Sequence, residues 1–453
     1  MSQAMSQAMS QPFDLVITGG QVFTPMGLLE TDVGVRGGRI AAIGALAGAS
    51  AAERMAADGL TVLPGVIDTQ VHFREPGAEH KEDLATGTAA AALGGVTAIF
   101  EMPNTKPLTL TEADLEEKLR RAAGRAHVDH AFFMGGSAAN ADRLRQLERV
   151  PGCCGVKVFM GSSTGDLLVE DDATLATILA NGVRRMAVHA EDEARLKERR
   201  HLVDGGAPVT MHPEWRDAET ALLATKRLVG LARKARRKVH VLHITTAEEM
   251  AFLARHKDLI TVETTPQHLT LAAPECYERL GTYAQMNPPI RSERHREGLW
   301  RAIADGVVDV LGSDHAPHTR AEKDKPYPES PSGMPGVQTL VPLMLDHIAA
   351  GRLTLARFVD LMCSGPQRIY DIAGKGRIAL GYDADFTIVD LKARRRIENS
   401  WIASKCGWTP FDGMTVTGWP IATIVRGHTV MRDDTLLGTP VGQPVRFADC
   451  LPA

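Results

Sequence analysis

The chain has 453 residues, 44% of them hydrophobic, and a formal net charge of −4 at pH 7. That charge excludes bulk binding to nucleic acid or to an anionic membrane surface, and no apolar run approaches the ~20 residues needed to span a bilayer. The length suggests two or three domains, although one (β/α)8 barrel alone uses ~250 residues.

In chain order, residues 1–12, "MSQAMSQAMSQP", repeat a polar and small unit without the basic-then-apolar pattern of a signal peptide, and are expected to form a disordered lead. Residues 13–64 read as short strands with Gly turns: "FDLVITGGQVFTP", "TDVGVRGGRIAAIG", "LTVLPG". From 65 to 374, apolar strands alternate with amphipathic helical patterns. "GVTAIFEMPN" precedes "TEADLEEKLRRAAGR", "VDHAFFMGG" precedes "ADRLRQLER", and "RMAVHAED" precedes "ETALLATKRLVGLARKAR". "KVHVLHIT" then leads into "AEEMAFLARH", and "RHREGLWRAIAD" into "VVDVLGSDHAPH". This rhythm predicts a parallel sheet flanked by helices, and about eight strand segments favour a closed barrel. Strands return over 375–453, in "GRIALGYDADFTIVDL" and "MTVTGWPIATIVRGHTVM". The predicted architecture is α/β: a (β/α)8 barrel over 65–374, with 13–64 and 375–453 pairing into one small β domain.

The six cysteines, Cys153, Cys154, Cys276, Cys363, Cys406 and Cys450, are scattered without a C-x-x-C pair, which fits a reducing cytoplasm. Cys153 and Cys154 lie in an apolar run and are expected to pack in the core. The basic stretch "RLVGLARKARRK" at 227–238 is expected to be a solvated helix face.

Five residues stand at or near the ends of predicted barrel strands. His72 ends "GVIDTQVHF", Lys157 lies in "CCGVKVFMGSSTG", His189 ends "RMAVHA", His243 ends "VHVLHIT", and Asp314 ends "VVDVLGSD". Singly, each reads as a structural residue. In a barrel all strand C-termini meet at one face, where active sites are built. A lysine ammonium titrates near ~10.4 and would repel a cation. After taking up carbon dioxide the amine becomes a carbamate, an anionic ligand with two oxygens that can bridge two ions. With three imidazoles and a carboxylate, the set suits one or two Zn²⁺-like ions.

The motifs "DLVITGGQVF", "LPGVIDTQVHFREPG", "EMPNTKP", "GVKVFMGSSTG", "VHAED", "VLHITTAEE", "MNPPIR", "GSDHAPH" and "SKCGWTPFDG" cover nearly the whole chain. Together they resemble the dihydroorotases of the amidohydrolase superfamily. The resemblance implies a TIM-like metal-dependent hydrolase barrel with a β-sandwich domain made from both chain ends. It implies reversible cyclisation of N-carbamoyl-L-aspartate to (S)-dihydroorotate in pyrimidine biosynthesis, by a cytoplasmic homodimer that can associate with aspartate transcarbamoylase. Carried over by position, His72, Lys157, His189, His243 and Asp314 resemble the metal ligands, with carboxylated Lys157 joining one or two Zn²⁺ ions. Arg74, Asn104 and His318 match residues that hold the substrate carboxylate. Asn287 matches a contact to the dihydropyrimidine ring, and Ser332 and Gly333 of "PSGMPG" match a substrate-side loop. Asp314 is expected to take a proton from the attacking water and deliver it to the departing ring nitrogen.

Sister families act on hydantoins, dihydropyrimidines and allantoin. Arg74 points away from them, because a planar guanidinium suits bidentate carboxylate binding. The competing account is that Arg74 pairs with Glu75 or a surface acid. One position departs from the family pattern. Gln70 stands where the first of two histidines is usual, two residues before His72 and facing the same way. Its neutral amide oxygen is a weak zinc ligand. The expectation is an active enzyme whose two ion positions differ in affinity, Gln70 serving as a weak ligand or as a hydrogen-bond partner beside the ion. The other reading is a non-catalytic dihydroorotase-like partner of aspartate transcarbamoylase.

Overall fold

Eight short runs of buried residues form a single parallel sheet: β1 (Val66–Val71), β2 (Val96–Glu101), β3 (Asp129–Gly135), β4 (Cys153–Phe159), β5 (Met186–His189), β6 (Val239–Val241), β7 (Ile260–Thr264) and β8 (Val310–Leu311). The structure, a computed structural model, describes residues 12–162 and 167–450, so the expected lead falls outside the described residues except for Pro12. Spatial order follows sequence order from β1 to β8. Every strand residue is buried, as a parallel sheet covered on one face by helices and filled on the other requires. Cys153 accordingly packs outward against the helices while Cys154 packs inside the barrel.

β8 is too short to complete a ladder with β1. Closure comes from the residues beyond it. The Ser313 N–H donates to Asp68 Oδ1 (3.0 Å) and the His72 N–H to the His315 carbonyl (2.7 Å), and Val71 bridges His315 in parallel. The result is the closed (β/α)8 barrel.

Side-chain caps start the helices where the sequence supplies them: Thr111 with Asp114 opens Glu112–Ala122, Asp217 opens Ala218–Ala235, and Thr246 opens Ala247–Leu253. The helix expected over "ADRLRQLER" shrinks to Leu144–Leu147, because Arg143 offers no capping bond and a single turn cannot offset its nucleation cost. The basic stretch is solvated only in part. Arg227 and Arg233 pair with Asp172 and Asp258 near the surface, but Arg237 is buried on Glu148 at 2.8 Å.

The chain ends build two further sheets. Phe13–Thr18, Asp32–Arg36, Arg39–Gly44 and Ala51–Ala56 form one. Gln21–Thr24, Gly27–Glu30 and Thr61–Pro64 join Phe386–Arg396, Thr415–Val425, His428–Arg432 and Thr435–Leu436 in the other, through antiparallel pairs such as Leu63 with Thr387. Leu15, Val33, Val62, Phe386 and Ile424 share the core of these two sheets. The strand expected from "GRIALGYDADFTIVDL" begins only at Phe386. The residues before it turn so that Asp383 and Asp385 reach Lys375.

Lys375 lies at the lower rim of the barrel, 3% exposed, with its Nζ 2.5 Å from Asp129, 2.6 Å from Asp385 and 3.2 Å from Asp383. Arg426 completes the cluster on Asp129, and Arg39 and Arg446 on Asp383. Asp129 opens β3, so this cluster is at the end of the barrel opposite the strand C-termini.

Candidate active site

His72 directly follows β1, His189 ends β5, and His243 lies two residues beyond β6. Asn104 and Asp314 follow β2 and β8 by three residues, and Lys157 is within β4. A cavity over these strand ends is lined by Gln70, His72, Arg74, Asn104, Phe159, His189, His243, Asn287, Asp314, Ala316, Ser332 and Gly333. Lys157 underlies it, wholly buried, with its Nζ 4.4 Å from the centre of the Phe159 ring. Of the residues singled out from the sequence, only Lys157 and His318 do not line the wall; His318 stands behind Arg74.

The donors contact one another in pairs. His72 meets Asn104 Oδ1 through Nδ1 (2.9 Å) and Asp314 Oδ1 through Nε2 (3.3 Å). Gln70 donates from Nε2 to the same Asp314 oxygen at 2.9 Å. His189 Nδ1 is 3.1 Å from His243 Nε2. Among the described residues no three His, Cys, Asp or Glu side chains close on a common point tightly enough to hold a cation unaided. The chemistry of the set nevertheless fits one. Lys157 Nζ, His243 Nδ1 and Gln70 Oε1 are buried without a hydrogen-bond partner, side by side with imidazoles and a carboxylate. Such orphaned atoms are costly unless a ligand satisfies them.

Electrostatics points the same way. Burial brings the Lys157 amine down to about 7 against the pull of Asp314 and Glu263, so near neutral pH a large share is the free base that adds carbon dioxide. Burial also lowers His72, His189 and His243, which keeps lone pairs available. Beneath them burial pushes the Glu263 carboxyl up to about 8 and Asp68 up to about 7.

Backbone strain is concentrated here. Arg74, His243 and Asp314 adopt φ of 63°, 35° and 45°. Left-handed conformations at such residues cost ~1–3 kcal/mol each and persist where surrounding structure enforces them, commonly at functional sites. On the opposite wall Gly333 (φ 138°) is required: a Cβ there would come within 2.4 Å of the Ala316 carbonyl.

Arg74 is 7% exposed. Its Nε donates to the Pro317 carbonyl (3.2 Å) and its Nη2 is 3.3 Å from His318 Nε2. Among the described residues no carboxylate lies within ion-pairing distance of it. The competing account, a pair with Glu75, does not hold, because Glu75 is taken by Arg121 (3.2 Å) and Arg125 (2.7 Å). Burial lowers the Arg74 guanidinium to about 10.

Several participants were not singled out from the sequence. Glu191 lies 3.1 Å from His189 Nε2 and is clamped by Arg216 at 2.5 Å. Burial alone would raise the Glu191 carboxyl, but Arg216 and His189 outweigh it and hold it below the usual range. Glu82 reaches His315 Nε2 (3.4 Å) and accepts from Ser404, while Trp408 Nε1 donates to the His318 carbonyl (2.8 Å). For Glu191 and Glu263 a signal existed: a carboxylate in an apolar strand or just past its end, in "VHAED" and "ITVETT". For Ser404 and Trp408 there was none, since their partners lie far away in the chain.

A model of the amidohydrolase family matches residues 61–430. The dihydroorotase of Halobacterium salinarum is 38% identical over 382 residues, covering 83% of this chain and 87% of the relative. That of Methanosarcina acetivorans is 33% identical over 442 residues, 94% of each chain. Among solved structures, the L-hydantoinase (dihydropyrimidinase) of Arthrobacter aurescens superposes with a TM-score of 0.90 at 30% identity, over 96% of this chain and 99% of that one. The dihydropyrimidinase of Brevibacillus agri gives 0.87 at 28% identity, over 94% and 97%.

Proposed function

This chain belongs to the amidohydrolase family, and from that premise we propose that it is a dihydroorotase, catalysing the reversible hydrolysis of (S)-dihydroorotate to N-carbamoyl-L-aspartate in pyrimidine biosynthesis. It is a hydrolase of cyclic amides, like its relatives. One observation carries the choice of ring: the buried Arg74 guanidinium lines the cavity without a carboxylate partner among the described residues. Dihydroorotate brings that carboxylate; hydantoin and dihydrouracil do not. The scaffold shared with hydantoinases does not decide between rings, because specificity lies in the site and not in the fold.

In this reading His72, carboxylated Lys157, His189, His243 and Asp314 hold one or two zinc ions. When bound, such an ion lowers the pKa of water and polarises a carbonyl. Asp314 takes the proton of the attacking water and returns it to the departing ring nitrogen. Arg74, Asn104 and His318 seat the carboxylate, with Ser332 and Gly333 forming the facing wall. His212 engages the Asn287 oxygen (3.1 Å), which leaves the amide N–H for a ring carbonyl.

Gln70 favours one second reading, a non-catalytic partner of aspartate transcarbamoylase, since it donates to Asp314, the group assigned the proton. Against that reading, all five candidate ligands line or underlie one cavity. Protein reconstituted with zinc and bicarbonate should turn over dihydroorotate in preference to hydantoin, dihydrouracil and allantoin. Preference for an uncharged ring overturns the proposal, and absence of both metal and turnover hands the case to the non-catalytic reading. Six unpaired cysteines support a cytoplasmic setting. The homodimer and the association with aspartate transcarbamoylase rest on family likeness, and sedimentation with and without that enzyme tests both.

A further inference from the structure

Arg74 and His318 meet donor to nitrogen at 3.3 Å, and what that contact means depends on which nitrogen of His318 carries its proton. A neutral imidazole has one N–H and one lone pair. Burial, with Arg74 and Lys81 alongside, holds His318 well below the usual imidazole range, so the ring is neutral. Its Nδ1 lies 3.1 Å from the Lys81 ammonium, and its Nε2 3.0 Å from the Ser332 carbonyl. An ammonium has only donors and a carbonyl only acceptors. With the proton on Nε2 both contacts are satisfied. With it on Nδ1, two donors face each other at Lys81 and two acceptors at Ser332. Glu322, 2.7 Å from Lys81 Nζ, anchors the lysine in its short helix turn beside His318.

Resting on the dihydroorotase reading above, we infer that Lys81 is a positioning residue for substrate specificity: it fixes His318 as the Nε2–H tautomer, so that Arg74 and His318 together present only donors to the substrate carboxylate. A lone pair on Nε2 would do two harmful things. It would accept the Arg74 Nη2 proton, and it would repel a carboxylate oxygen placed beside it. Lys81 therefore sets the sign of the pocket from behind, without itself lining the cavity.

The test uses the metal-loaded enzyme with dihydroorotate. Lys81→Met should raise KM about tenfold while kcat stays within about twofold, the signature of lost ground-state binding. Lys81→Arg, which keeps a cationic donor, should restore KM. An unchanged KM in Lys81→Met, a fall confined to kcat, or Lys81→Arg behaving like Lys81→Met overturns the inference. Histidine-selective ¹⁵N NMR of the wild-type protein, with the His318 signals identified by their loss in His318→Gln, reads the tautomer even if Lys81→Met does not fold. A proton on Nδ1 overturns the inference outright. A wild-type enzyme that ignores dihydroorotate defeats the dihydroorotase reading instead, and the tautomer measurement still stands apart from it.

Discussion

The two ends of the barrel bury cations equally well and use them in opposite ways. At the lower rim Lys375 touches three carboxylates, and Arg39, Arg426 and Arg446 complete the cluster. Burial would lower the Lys375 pKa, but Asp129, Asp385 and Asp383 outweigh it and raise it. At the upper face Lys157 has no hydrogen-bond partner, and burial prevails, bringing it to about 7. Arg74 beside it has only a carbonyl and an imidazole. Burial of charge therefore does not mark function. The mark is buried polar valence left unmatched, a cost to folding that only a ligand offsets.

The largest effect should come from the upper lysine. Lys157→Ala is expected to lower turnover at least ~10³-fold, about 4 kcal/mol of barrier, while thermal stability barely moves because no protein contact is lost. A short-chain carboxylic acid should partly restore activity. A metal-loaded crystal structure with an unmodified Lys157 ammonium would defeat the carbamate assignment.

The lower lysine should show the reverse. Lys375→Met leaves three carboxylates buried together and should cost about 3–5 kcal/mol of stability, read by denaturant unfolding, with kcat of the folded fraction preserved. Equal loss of activity in folded protein would erase the distinction between the two ends.

Arg74→Met should lower kcat/KM for dihydroorotate by an amount on the order of 2–5 kcal/mol, with metal content near normal by atomic absorption. Loss of metal together with activity would recast Arg74 as a support for the ion site. The smallest effect concerns Gln70. Graded chelator should empty the ion position beside Gln70 before the one formed by His189 and His243, and Gln70→His should slow that loss. Two ions released together refute the asymmetry.

The barrel was legible because its strands are continuous apolar runs and each next helix opens on a capping residue such as Thr111 or Asp217. His72, His189 and His243 stood out as polar residues ending those runs. What stayed hidden depends on contacts across the chain. Ser404 and Glu82 are 322 positions apart, and no local pattern links them. The truncated helix at Leu144–Leu147 and the late strand start at Phe386 failed for a related reason: a missing cap in one case, and in the other two aspartates drawn off to Lys375. The pairing of Arg74 was undecidable from sequence, since Glu75 lies next to it but is claimed by Arg121 and Arg125 from a helix and its C-terminal turn.

The three left-handed residues at the site set a trap for anyone improving this protein by selection. Glycine at 74, 243 or 314 would relieve the backbone at no steric cost, gaining stability where the wild-type side chain makes few protein contacts. A library sorted by heat resistance alone should thus enrich glycine at these positions and return hardy, inert molecules. For this chain, heat tolerance and usefulness have to be screened in the same tube.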